Sequence, residues 1–276
     1  MFEKFSRSWA LVKASAAVLR SDKELLLFPV ISGFATLLVL ATFALPVFAL
    51  KLFQHEMGVL QAVLVFLFYL CQYFVIFFFN SALVAAAMIR LEGGDPTVAD
   101  GLRAARARIG AILGYAAIAA TVGMILQGMK NRDNNFLVRM AGSGLGVAWT
   151  LSTFLVVPVL VAQDVGPIEA IKQSVSLLKR TWGENAIGNV GLGAAFGILI
   201  FLAIILGVAA VIASAMISPK LAILVGVVVI LGVLMLGVVQ SALSGIYSAA
   251  LYRYAMDGRA PAGFETGAMQ VAFKAK

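Results

Sequence analysis

Six long stretches of apolar residues, most of about 20 or more, leave this chain few ways to fold. Crossing the ~30 Å hydrocarbon core of a bilayer takes about 20 helical residues. A soluble helix of that length would carry a polar face, and these stretches have none. Charged residues make up 12% of the chain and hydrophobic ones 62%, whereas soluble domains are about a quarter charged. In lipid the backbone must pair its own N–H and C=O groups, which selects helices for such runs. The expected fold class is an all-α integral membrane protein, with six transmembrane helices in a single domain over residues 1–276.

The spans are expected at about 25–50, 57–79 (a continuation to Arg90 stays open), 109–127, 142–162, 185–213 and 221–251, followed by a cytoplasmic tail at 252–276. The first run, from Leu25, is longer than a signal h-region and is expected to remain as a span. Pro46 lies in the last turns of the first span, where a kink is expected, and Pro158 lies near the end of the fourth.

Three amphipathic segments precede descending spans. In the one starting at Pro167, Ile168, Ile171, Val175, Leu178 and Trp182 step by three and four, which makes a helical stripe. Glu169, Lys172, Gln173, Ser176, Lys179 and Arg180 fall opposite, with Leu177 as the one apolar exception. Gly183 allows a sharp turn into the next span. Residues 97–111, opened by a Thr97–Asp100 capping box, stand in the same relation to the third span. Residues 2–24 stand so before the first. The chain reads as a pseudo-threefold repeat of interfacial surface helix plus helical hairpin.

Charge placement orients the chain. Sixteen Lys and Arg fall on the side of the termini and the amphipathic segments, and five on the other. The positive-inside rule then puts both termini in the cytoplasm. It also accounts for the net charge of +8 without nucleic acid as a partner. Arg103, Arg106, Lys172, Lys179 and Arg180, beside Trp182, are candidate contacts for anionic lipid headgroups or a partner protein.

Deep carboxylates would mark an ion path, yet all thirteen Asp and Glu fall in loops or at span ends. Cys71 stands alone within a span, and His55 has no second histidine. No cofactor or metal is expected, and no enzyme, since paired acids or His/Asp clusters are missing. Uncharged polar residues remain. Gln240, Ser244, Ser248 and Tyr252 recur every fourth residue in the sixth span. Gln72 and Asn80 lie near a common stripe in the second, and Thr150, Ser152 and Thr153 cluster in the fourth. They read either as a polar seam or as interhelical hydrogen bonds. The aromatic run 66–79 is expected to face lipid, and Gly193-x-x-x-Gly197 to hold the bundle's own helices together.

The stretch Glu169–Glu184 with Gly188-Asn-Val-Gly-Leu, together with the closing Ala250–Phe264, resembles a family of uncharacterised prokaryotic six-span membrane proteins known only as a domain of unknown function. That family is distantly similar to the membrane domain of some glycerophosphoryl diester phosphodiesterases. The resemblance implies the fold type, and the expected location is a bacterial inner membrane. It implies no activity, because the catalytic barrel with its acidic metal site is absent from this sequence. The leading expectation is a non-enzymatic protein that organises lipid or a partner through its basic cytoplasmic surface. The alternative is a channel or carrier for a small solute along the seam of spans two, four and six.

Overall fold

The computed structural model describes residues 13–49, 58–132, 136–181, 186–258 and 264. Among the described residues every regular element is a helix. Helix α1 (residues 13–21) leads through a 3-10 turn, Lys23–Leu26, into α2 (Leu27–Ala49). Then follow α3 (Val59–Leu91), α4 (Val98–Ala107), α5 (Ile109–Arg132), α6 (Phe136–Ser152) and α7 (Val156–Ala162). The last three are α8 (Pro167–Thr181), α9 (Ala186–Ala215) and α10 (Pro219–Asp257).

Six helices are long and apolar enough to cross a membrane: Lys23–Val47, Val59–Leu91, Ile109–Met129, Gly144–Ala162, Phe196–Ala215 and Pro219–Asp257. The second continues to Leu91 without a break, past the expected end at residue 79, because Ser81–Leu91 holds good helix formers and no glycine or proline. The sixth ends where Gly258 takes a positive φ of 66° and its N–H closes on Tyr254 C=O at 2.9 Å, the left-handed terminator that glycine adopts without steric cost.

The fourth span is interrupted. Pro158 has no N–H to give Phe154 C=O, and its ring crowds that carbonyl. The chain accordingly turns at residues 153–155, between α6 and α7. Non-helical backbone at membrane depth persists only where protein satisfies it. Here Ser174 of α8 does so: its Oγ accepts from Leu155 N–H at 3.1 Å and donates to Ser152 C=O at 2.7 Å.

Burial concentrates at one end of the bundle. Ala82–Leu91 of α3 and Ala242–Tyr252 of α10 pack with α4, α7 and α8. Leu25 and Phe28, at the start of the first span, close this core. Outside it, the lipid-length surfaces of α2, α9 and the first half of α10 are largely exposed apolar side chains.

Helix α8 turns a different face to the protein than its stripe suggests. Ala170, Ser174, Leu177 and Leu178 are buried, whereas Ile168 is 63% exposed. A wide apolar arc lets packing choose small Ala170 and Ser174 for close approach and leave Ile168 outside.

Two further expectations are corrected. The aromatic run does not simply face lipid. Tyr69, Tyr73 and Phe77 stack at successive turns of α3, and Phe77 stacks on Tyr115 of α5 with centroids 4.5 Å apart. Nor do Gly193 and Gly197 mediate close contact in the bundle, since a Cβ at either would meet nothing within 4 Å. The close approaches lie elsewhere. A Cβ on Gly101 would stand 2.6 Å from Ala82 O, one on Gly245 2.4 Å from Leu83 Cδ2, and one on Gly207 2.3 Å from Val229 Cγ1.

Candidate functional site

Two groups of side chains stand out. The first is cationic and lies at the buried end of the bundle. Thr97 caps α4: its Oγ1 accepts from Asp100 N–H at 3.3 Å, while Asp100 Oδ2 accepts from Thr97 N–H at 3.1 Å. The Thr97 hydroxyl, which donates to Asp100 Oδ2 at 2.7 Å, then the Thr97 N–H and nearby Arg103, hold the Asp100 carboxyl below the usual carboxylate range. With Gly101 and Ala105 buried against the bundle, Arg103 and Arg106 are left exposed. In α8, Lys172 and Lys179 are exposed as well. Arg103 pairs with Asp100 at 3.0 Å and Lys172 with Glu169 at 3.8 Å. Arg106 and Lys179 make no ion pair among the described residues. Trp182 and the side chain of Arg180, expected beside them, lie outside the described residues, as do His55 and Asp133.

Three other arginines, assigned by sequence only to topology, tie the helix ends together. Arg90 reaches Asp95 at 3.3 Å, Gly94 C=O at 3.2 Å and Ser21 C=O at 3.4 Å. Arg253, at the end of α10, pairs with Glu92 and lies 3.4 Å from Asp257. Arg108 pairs with Asp164. Asp22 sits beside Arg90, one carboxylate oxygen accepting from Glu24 N–H at 3.2 Å and the other buried without a hydrogen-bond partner among the described residues. Burial pushes its carboxyl up. The local Arg90–Asp95 spacing could have suggested one of these pairs. The Arg253–Glu92 pair, 161 residues apart, had no local signal.

The second group lies on three of the membrane-length helices. Asn80, Gln240 and Ser244 converge, joined by Ser32 and Ser241, around a cleft of about 310 Å³ between α2, α3 and α10. None of these five side chains has a hydrogen-bond partner among the described residues, and none is sealed from the cleft. No ionisable residue lines it.

The remaining seam residues are not part of this cleft. Gln72 Nε2 donates to Thr36 C=O at 3.3 Å, bridging α3 to α2. Ser248 is buried and donates to Gly245 C=O at 2.8 Å, within its own helix. Tyr252 OH accepts from Gln163 at 3.0 Å. In the fourth span Thr150 and Thr153 hydroxyls donate back to Gly146 and Trp149 C=O. The four-residue period of α10 is therefore split along its length, with packing at its last turns and an open polar wall before them.

Six membrane-length apolar helices, with a buried core at one end of the bundle, define a multi-pass α-helical membrane protein. Residues 59–264 match a family of unknown function (DUF6159), and the chain belongs to that family. No curated protein matches it.

Proposed function

We propose that this is a non-enzymatic protein of the bacterial inner membrane, with both termini in the cytoplasm, that organises anionic lipid or a partner protein through a basic cytoplasmic surface. The observation that carries the reading is the division of the cations. Arg90, Arg108 and Arg253 are partly buried and tie separate elements together through carboxylates, whereas Arg103, Arg106, Lys172 and Lys179 stand exposed on two short helices, Arg103 and Lys172 beside a carboxylate of their own helix. On this reading α4 and α8 are amphipathic interfacial helices. Their buried faces carry small residues at four-residue spacing, Gly101 and Ala105 in one, Ala170 and Ser174 in the other. Each precedes an apolar span, which supports two units of the proposed pseudo-threefold repeat. On this reading the fold is shared with the membrane domain of some glycerophosphoryl diester phosphodiesterases, and no activity is carried over from them.

Each cation near an anionic leaflet contributes about 1 kcal/mol, so four such side chains suffice for measurable lipid selection. Replacing Arg106, Lys172 and Lys179 by Glu should abolish enrichment of phosphatidylglycerol around the purified protein in mixed nanodiscs, with folding unchanged. Equal enrichment in the variant would refute the reading. The carrier alternative has less support, because the polar residues of spans two, four and six do not form one path.

A further inference from the structure

We propose that the cleft walled by Ser32, Asn80, Gln240, Ser241 and Ser244 binds the polar end of an uncharged long-chain lipid that enters from the bilayer. The site is distinct from the cationic surface and goes beyond the reading above. Depth is the first argument. Asn80 precedes Arg90 by ten residues and Ser32 follows Asp22 by ten, about 15 Å along each helix axis. Gln240 precedes Arg253 by thirteen, about 20 Å. The polar groups thus lie inward of the charged pairs that mark the helix ends and beside the long apolar segments of α3 and α10, with Asn80 within one turn of Ala82, against which Gly101 of α4 packs. At this junction of surface helix and apolar span, the hydroxyl or carbonyl end of a neutral lipid can reach the cleft while its chain stays in hydrocarbon.

Chemistry is the second. Two amides and three hydroxyls offer both donors and acceptors, and no lining residue is charged. An acyl chain filling the cleft would leave all five unpaired in a dry medium, which is unfavourable. A charged group would find no counter-ion. An ester, hydroxyl or quinone-like carbonyl matches the lining.

Access is the third. The lining comes from α2, α3 and α10 only, with Ser241 and Ile76 exposed. The approach is sideways, past these two exposed residues, so the ligand's tail can remain in lipid. A volume of about 310 Å³ lies at the lower end of small-molecule sites, about 300–1,000 Å³, and suits the polar end of a lipid with its tail outside.

The test is photo-crosslinking of the full chain in nanodiscs with three probes: a photoreactive diacylglycerol, a photoreactive long-chain prenol and a photoreactive phosphatidylglycerol. One neutral probe should label peptides containing residues 76–83 or 237–244, and which one does so identifies the lipid source. The double variant N80L/Q240L should lose that labelling at least tenfold. Ser241→Phe, which plugs the mouth from an exposed position and spares the packed core, should lose it likewise. Absence of labelling by both neutral probes, equal labelling by phosphatidylglycerol, or labelling unchanged in Ser241→Phe would overturn the proposal. Charge reversal at Arg106, Lys172 and Lys179 should leave it intact, which separates this site from the basic surface.

Discussion

The hydroxyl of Ser174 donates to the carbonyl oxygen of Ser152 across 2.7 Å, joining α8 to the broken fourth span. It also receives Leu155 N–H, so one fully buried side chain serves two backbone groups freed at the break. Ser174→Ala should cost about 1–3 kcal/mol, the penalty for leaving a buried donor unpaired. In a Pro158→Ala background the chain regains an N–H for Phe154 C=O, and the Ser174→Ala penalty should shrink. Thermal unfolding in detergent of the two single variants and the double variant measures this coupling.

Glycines at different places in the bundle should respond oppositely to the same substitution. Gly101→Ala would push a Cβ to 2.6 Å from a backbone oxygen, Ala82 O, which cannot swing away. Loss of several kcal/mol and poor yield are expected, because overpacking moves backbone. Gly193→Ala and Gly197→Ala meet nothing within 4 Å and should stabilise by about 0.5–1 kcal/mol each through backbone entropy. Destabilisation at Gly193 and Gly197 would reveal a contact with a second molecule.

Asp100 and Asp22 predict opposite pH responses. The folded-state pKa of Asp100 is lowered, chiefly by its hydrogen bonds to Thr97. Its contribution is present above the unfolded carboxylate pKa and disappears as pH falls through the lower folded value. Thr97→Ala should cost about 1 kcal/mol at neutral pH and progressively less in acid. Asp22 has a raised folded-state pKa, chiefly from burial. Its contribution is present below the unfolded pKa and is lost as pH rises through the folded one. Asp22→Asn keeps an acceptor for Glu24 N–H, so it should raise the Tm at pH 7 and leave it unchanged at pH 3. A lowered Tm at pH 7 would count against this account.

Arg253→Glu sets a third carboxylate beside Glu92 and Asp257. It should destabilise by about 1 kcal/mol, the scale of partly exposed pairs. Adding Glu92→Arg should recover part of that loss. Full recovery is not expected, because an acid at the C-terminal end of α10 still opposes the helix dipole. Chemical denaturation of the wild type, the two single variants and the double variant gives the pair's coupling directly.

The helical class and the existence of six membrane-length helices were legible because lipid imposes rules that act locally. A run of about 20 apolar residues must be helical wherever its neighbours lie. The capping box at Thr97 and the glycine terminator at Gly258 are local in the same sense. The polar residues were found one by one on this basis, but their period of four could not say which would face a partner. Gln72 and Ser248 share that signal with Asn80 and Gln240, yet the first two are bonded and the second two open into a cleft. Small residues misled for the same reason: Gly193-x-x-x-Gly197 has the motif and no close neighbour, while Gly101, whose four-residue partner is an alanine, packs against backbone.

Sequence alone determined the solvent in which this chain folds, since hydrocarbon satisfies no backbone hydrogen bonds and leaves the helix as the solution for each apolar run. Tertiary structure decided what those helices enclose. Three helices distant in sequence, α2, α3 and α10, had to meet before Ser32, Asn80 and Gln240 became the wall of one cleft. Such a meeting is set by shape complementarity among many side chains, and no single stretch of the chain encodes it.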